Sequence, residues 1–261
     1  MKSPIILYGG KTSLLNKILP LIPETKGYCE PFFGGGSVYY ALADRHYETE
    51  VINDVNDSLI NFYSVLKNDF QKLKNLVDAT LYSRGTYKRA ELILKNPVDY
   101  SNVQRAWAHW LVIAQSFSGS MSSWSYDVKA RKVKTFHNKK TRFIQDISKR
   151  MENTLIENRD ALEIIKKFDS HEDMFFFIDP PYVGADQGCY KGYTEEDYIK
   201  LLDVLNTIKS KFMLTTYDSD LLTEYAKRNN WKQIKIEKPI TASCSRGEKR
   251  KTKIEVISID C

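Results

Sequence analysis

The apolar run Met174-Phe175-Phe176-Phe177-Ile178 ends in Asp179-Pro180-Pro181-Tyr182. A continuous apolar run marks a central parallel strand buried on both faces, and Asp179 then lies at its carboxyl end, where open α/β sheets bind ligands. Each proline fixes its own φ and holds the preceding residue extended, and neither carries an N–H. The corner therefore offers acceptors, the Asp179 carboxylate and the Pro180 carbonyl, beside the flat face of Tyr182. Such a corner suits a planar heterocycle bearing an NH₂ group: the acceptors take both amine hydrogens while the ring stacks on the heterocycle. An aromatic amine is a poor nucleophile because its lone pair is delocalised. Fixing both hydrogens biases the nitrogen towards tetrahedral geometry, and the carboxylate stabilises the positive charge that develops during attack. Positioning against an in-line methyl donor supplies much of the remainder.

A second constellation is Glu30-Pro31-Phe32-Phe33-Gly34-Gly35-Gly36-Ser37-Val38. A strand running into glycines and then a helix lets backbone approach a ligand at a helix N-terminus. Asp54 follows Gly36 by 18 residues, at the end of the next strand, where a carboxylate accepts the hydroxyls of a ribose. Tyr39 stands where the dinucleotide fingerprint has its third small residue, so the pattern points to an adenosine-type cofactor without saying which. Tyr8-Gly9-Gly10-Lys11-Thr12 also joins a strand to a helix. Ile5 occupies the place of the first glycine of a phosphate-binding loop, which excludes nucleoside triphosphate binding there. Lys11 is left to meet a ligand carboxylate or a DNA phosphate.

The elements that must position these residues alternate at both ends of the chain. Residues 3–10, 27–32, 50–54, 153–158, 174–182, 211–218 and 253–259 read as strands. Helical spacing covers 12–22, 37–45, 57–77, 86–96, 102–115 and 219–230, and Thr194 with Asp197 opens another helix as a capping box. Between 63 and 145 the alternation disappears: helices dominate, followed by the Ser-rich, Trp-bearing stretch 116–128 and a basic run. The expected fold is α/β, a Rossmann-like domain of residues 1–62 and 146–261 with a mostly parallel central sheet, interrupted by a mainly helical insertion at 63–145.

Residues 126–142 carry seven Lys or Arg against one Asp, a local excess equal to the +6 of the whole chain. A second cluster, 245–253, has five basic residues and one acid. Both are candidate nucleic-acid contacts. Cys29, Cys189, Cys244 and Cys261, like His46, His109, His137 and His171, are scattered, so reduced thiols and no metal site are expected. No apolar run is long enough to span a bilayer, and the start is too short in apolar residues for a signal peptide, which points to the cytoplasm.

On these motifs the chain resembles the Dam-like DNA adenine methyltransferases, nearly end to end, from 9–23 through 30–38, 52–63 and 179–182 to 245–259. The resemblance implies S-adenosylmethionine as cofactor, double-stranded DNA as partner and an adenine flipped out of the duplex as target. It implies that Tyr8, Lys11, Phe33, Gly34, Gly36, Asp54, Asp160 and Asp179 line the cofactor pocket, Asp160 meeting its adenine. Asp179, Pro180 and Tyr182 would hold the target base. The insertion would read the DNA through Ser118, Ser120, Trp124, Lys129, Arg131, Lys132, Lys134, Lys139 and Lys140, with Arg246 from the second basic cluster. Leu7 departs from the family's aromatic four residues before the lysine. The Asn-Gly-Leu-x-Arg-x-Asn segment of GATC-reading members is replaced by 116–128, so a different target sequence is expected. A prokaryotic or phage-infected host and a cognate restriction endonuclease fit the same resemblance. Two other readings are an RNA adenine methyltransferase and a non-catalytic basic nucleic-acid-binding protein; protein-glutamine methyltransferases favour Asn-Pro-Pro-Tyr, against which Asp179 argues.

Overall fold

The computed structural model describes residues 1–126, 128–129, 131–170, 173–184, 192–239 and 252–260. Its strands are β1 (Gly27–Glu30), β2 (Thr49–Asn53), β3 (Leu155–Glu157), β4 (Met174–Ile178), β5 (Lys211–Tyr217), β6 (Lys232–Pro239) and β7 (Thr252–Asp260). They form one sheet in the order β3-β2-β1-β4-β5-β7-β6. All neighbours from β3 to β5 pair parallel, and β7 lies antiparallel between β5 and β6. The chain winds outward from β1 through β2 to β3, then returns to β4 and winds the other way. β1 and β4 are therefore neighbours at the switch point, whose carboxyl ends form the crevice of such a sheet.

The helices are α1 (Leu15–Ile18), α2 (Ser37–Ala41), α3 (Asp57–Asn68), α4 (Phe70–Ala79), α5 (Arg84–Lys95), α6 (Asn102–Gln115), α7 (Arg131–Lys140), α8 (Gln145–Lys149), α9 (Ala161–Phe168), α10 (Glu195–Leu205) and α11 (Asp220–Asn229). Side chains of β4 alternate between two cores, as a doubly covered strand requires. Met174, Phe176 and Ile178 pack with α9, α10 and α11. Phe175 and Phe177 pack into the other core with Tyr28, Ile52 and Ile257. That second core runs without a break into the helical segment between β2 and β3, taking in Tyr87, Trp110, Phe136 and Phe143.

Parts of the expected pattern differ from what forms. Residues 3–8 take no strand partner; Ser3 donates instead to the Gly35 carbonyl, and a Cβ on Gly119 would stand 2.2 Å from the Ile6 carbonyl, so this segment lies between two loops. The helical pattern of 57–77 breaks at Asp69, whose φ of −129° starts α4 afresh. The basic run folds as α7 around one buried residue, Phe136. β6 is an additional edge strand, with Ile234 and Ile236 alternating among lysines. The expected boundary at 62/63 falls inside α3. Among the described residues, no helix is long and apolar enough to cross a membrane. Cys29 is a buried free thiol, while Cys189, Cys244, Cys261, His171 and Arg246 lie outside the described residues.

Candidate active site

β4 delivers Asp179 to the switch point with its carboxylate half-buried and Pro180 beneath it. Asp179 Oδ1 accepts the Thr215 hydroxyl at 2.8 Å, and Lys11 Nζ stands 2.6 Å from the carboxylate. Lys11, buried at 4% exposure, also donates to the Gly9 carbonyl at 3.0 Å. Burial pushes Asp179 above the ordinary carboxylate range, and the charge and hydrogen bond of Lys11 with the Thr215 hydroxyl pull it back. A carboxylate has about four lone-pair directions, so these two donors leave acceptor capacity facing the crevice.

Tyr182 leaves the corner with its ring edge-on to Tyr217, centroids 4.5 Å apart, and with Lys11 Nζ 4.8 Å from its centroid. Its hydroxyl donates to Glu255 Oε1 at 2.8 Å. Lys238 pairs with Glu255 Oε2 at 2.5 Å, and Lys253 covers the Tyr217 ring. Burial first, then the negative charges of Asp179 and Glu255, raise the Tyr182 phenol, which remains a donor.

The glycine turn meets this corner from β1. Gly34 and Gly36 have φ of +51° and +63°, a region that favours glycine. A Cβ on Gly36 would lie 2.6 Å from the Phe33 ring, whereas one on Gly34 would meet nothing within 4 Å among the described residues. Phe33 itself is buried edge-on to Tyr39 and Tyr63, so its ring belongs to the core beneath the turn. Lys11 N–H donates to Ser37 Oγ at 3.2 Å, tying the two glycine loops together. Tyr8 is half exposed at their rim.

Asp54 is buried at the end of β2. Its Oδ2 accepts the Gly34 N–H and its Oδ1 the Asn56 N–H, both at 2.9 Å. Asn53 donates to the Arg159 carbonyl and accepts the Arg159 N–H, and Asn158 donates to the Asp54 carbonyl. These bonds clamp the loop after β3 against β2 and so bring Asp160 to the crevice. There Asp160 Oδ1 caps α9, accepting from Leu162 and Glu163 N–H at 2.8 and 3.4 Å. Glu30, at the end of β1, accepts the Tyr28 hydroxyl at 2.6 Å, and burial raises it to about 8.

Sequence reading missed Thr215, Tyr217, Lys238 and Glu255. Glu255 gave a signal, a lone carboxylate in the apolar run Ile254-Glu255-Val256-Ile257; Thr215 and Tyr217 gave none, because only β5 pairing beside β4 brings them there.

The expected DNA contacts divide. Ser118 is exposed with φ +52°, and Ser120 shares a hydrogen bond with Ser122 at 2.7 Å. Trp124 is packed rather than free: its indole donates to Gln115 at 3.1 Å, its ring meets Tyr82 and Tyr126, and Arg84 lies 5.0 Å from it. Lys129, Arg131 and Lys134 are exposed, and Lys132 stands 5.8 Å from the exposed Phe117 ring. Lys139 and Lys140 instead turn inward, donating to Ala114 O at 2.6 Å and to Asp78 O and Thr80 O at 2.5 and 3.1 Å. Burial lowers Lys139 to about 8.

A doubly wound sheet with a glycine turn and an Asp-Pro-Pro-Tyr corner at its switch point has the layout of a Rossmann-like methyltransferase. A family model for D12 class N6 adenine-specific DNA methyltransferases matches residues 8–239, and the chain belongs to that family. It is 29% identical to the type II methyltransferase M1.LlaDCHI of Lactococcus lactis subsp. cremoris, across 92% of this chain and 90% of the relative. It is 26% identical to the type II methyltransferase M.MjaIII of Methanocaldococcus jannaschii, across 93% of each. A DNA adenine methylase of Vibrio cholerae is 41% identical over 63 residues, 24% of this chain and 22% of the relative.

Proposed function

We propose that this adenine-specific DNA methyltransferase uses S-adenosylmethionine to methylate the exocyclic amine of an adenine flipped out of double-stranded DNA, within a short sequence other than GATC. The observation that carries the reading is Asp179, held by Lys11 and Thr215 at the same switch point as the Gly34 turn and Asp54. The crevice fits the cofactor: Gly34 leaves open space where a Cβ would stand, and the Asp54 and Asp160 carboxylates are fixed by backbone amides around it. Gly34, Gly36, Asp54 and Asp160 would hold it, with Tyr8 and Lys11 at the rim and Phe33 supporting the turn from below. When bound, the cofactor supplies an electrophilic methyl group.

The chain's own residues supply the rest. Asp179 and the Pro180 carbonyl accept the two hydrogens of the target amine, and Tyr182 stacks on the base. The Asp179 charge stabilises the nitrogen as it becomes positive. Its burial-raised pKa also makes it a better acceptor of the departing amine proton than a free carboxylate. Extrusion of the base is offset by that stacking and by phosphate contacts from Lys129, Arg131, Lys132 and Lys134. Residues 63–145 act as the target-recognition insertion, Ser118 and Ser120 presenting the loop that reads sequence and Trp124 bracing it. Arg246, outside the described residues, is a further candidate phosphate contact by its charge.

The test is transfer of labelled methyl from S-adenosylmethionine to unmethylated genomic DNA, followed by single-molecule sequencing. Methylated adenines in one short context are expected. Label on RNA with none on DNA would overturn the substrate, and loss of cofactor binding would overturn the mechanism.

A further inference from the structure

Glu255 lies on β7 beyond residues 8–239, and the next two residues of the strand, Val256 and Ile257, are fully buried hydrophobics. A carboxylate is costly to bury, and an apolar residue of similar volume serves stability as well or better. Its bonds point to what offsets that cost. Oε1 accepts the Tyr182 hydroxyl at 2.8 Å and stands 3.7 Å from Lys11 Nζ, while Oε2 pairs with Lys238 at 2.5 Å. Tyr182 sits past the end of β4, so sheet pairing does not set its ring plane. The hydroxyl anchor at one edge and Tyr217 at 4.5 Å on the ring do.

We infer that Glu255 is a positioning residue for methyl transfer: through the Tyr182 hydroxyl it fixes the ring on which the target adenine stacks, and so the height of the amine above Asp179. The inference rests on the function proposed above and deepens it. A base that tilts on an unanchored ring loses the alignment on which much of the rate depends. Lys238 balances the Glu255 charge, leaving Lys11 to Asp179.

The experiment is a double-mutant cycle of Glu255→Met with Tyr182→Phe, reading kcat and KM on unmethylated genomic DNA, the affinity for S-adenosylmethionine, and the urea midpoint without cofactor. One charged hydrogen bond predicts that E255M lowers kcat about ten- to hundred-fold with cofactor affinity unchanged. In the Tyr182→Phe background the same change lowers kcat by a clearly smaller factor, because the bond to Tyr182 is already gone and only the pairing with Lys238 and Lys11 is lost. An equal loss in both backgrounds overturns the inference. If E255M does not fold, Glu255→Gln decides: it keeps an acceptor oxygen, so kcat stays within about three-fold of wild type. A hundred-fold drop in that variant with an unchanged urea midpoint overturns it. Absence of any DNA methylation by the wild-type chain would overturn the proposed function and the role inferred from it, whereas methylation by the wild-type chain with an equal loss in both backgrounds overturns the inference alone.

Discussion

Asp179 meets two opposing demands. It must stay ionised to accept amine hydrogens, yet burial raises its pKa, and Lys11 at 2.6 Å with Thr215 at 2.8 Å holds the balance. Asp179→Ala removes the acceptor and leaves Lys11 buried without its nearest counter-charge. Methyl transfer then falls by at least about a hundred- to thousand-fold, the loss typical of one preorganised electrostatic contact. Cofactor affinity is largely spared, because Gly34, Asp54 and Asp160 make their bonds without Asp179. Isothermal titration with S-adenosylmethionine beside a methyl-transfer assay separates the two effects, and unchanged turnover would rule the mechanism out. At this scale the sequence announced the residues whose chemistry is local. Asp179, Pro180 and Tyr182 are adjacent, and two glycines and an aspartate follow a spacing. Thr215 is an ordinary strand residue until β5 pairs beside β4, and Glu255, though a lone carboxylate in an apolar run, meets its partners only once β7 pairs with β5.

The elements were legible where their periodicity is driven by burial. β4, α6 and α10 follow their apolar patterns closely, and the Thr194–Asp197 capping box is present as read. Elements fixed by partners outside the local window were not. Residues 3–8 have strand composition but no strand beside them, and β6 is a lysine-rich edge that only β7 defines. The basic run shows the same limit within α7. Its charge suggested one DNA-facing surface, but Lys139 and Lys140 reach back to the carbonyls of Ala114, Asp78 and Thr80. Those two ammonium groups satisfy orphan acceptors near helix ends. Neutralising Lys129, Arg131 and Lys132 to Gln should therefore weaken DNA binding and lower the slope of log K against log salt by about two to three units, near 0.9 for each lost phosphate contact. Changing Lys139 and Lys140 to Met should lower the unfolding midpoint and leave that slope unaltered. Fluorescence anisotropy across a salt series checks both, and an unchanged slope in the triple variant would mark the outer lysines as a solvated face.

At the scale of the molecule, one core joins the sheet to the helices between β2 and β3, and two buried titratable groups report on it from opposite ends. His109, on α6, has no hydrogen-bond partner at either ring nitrogen among the described residues and lies against Phe62, its ring centroid 6.2 Å away. Burial lowers it from 6.5 to about 4, whereas burial raises Glu30, on β1, from 4.5 to about 8. The folded chain keeps His109 neutral while the unfolded chain protonates it below 6.5, so its contribution is complete above 6.5 and is lost as pH falls towards 4. Glu30 has the opposite sign: its contribution is complete below 4.5 and is lost as pH rises through 8. Between 4.5 and 6.5 the two slopes cancel. Between 6.5 and 8 the Glu30 slope stands alone, at about 1.4 kcal/mol per pH unit. His109→Leu should therefore gain stability over wild type as pH falls below 6.5, and Glu30→Gln as pH rises above 4.5. Because the core is continuous, both differences belong to a single transition. Urea unfolding of the cofactor-free chain from pH 5 to 8, followed by tryptophan fluorescence and by far-ultraviolet dichroism, tests this. Trp107, Trp110 and Trp124 weight the fluorescence towards the helices between β2 and β3, with Trp231 alone from the other core, and the dichroism reports every helix, so coincident curves are expected; two separated transitions, with the His109 difference confined to one, would show the helical segment to be an independent folding unit.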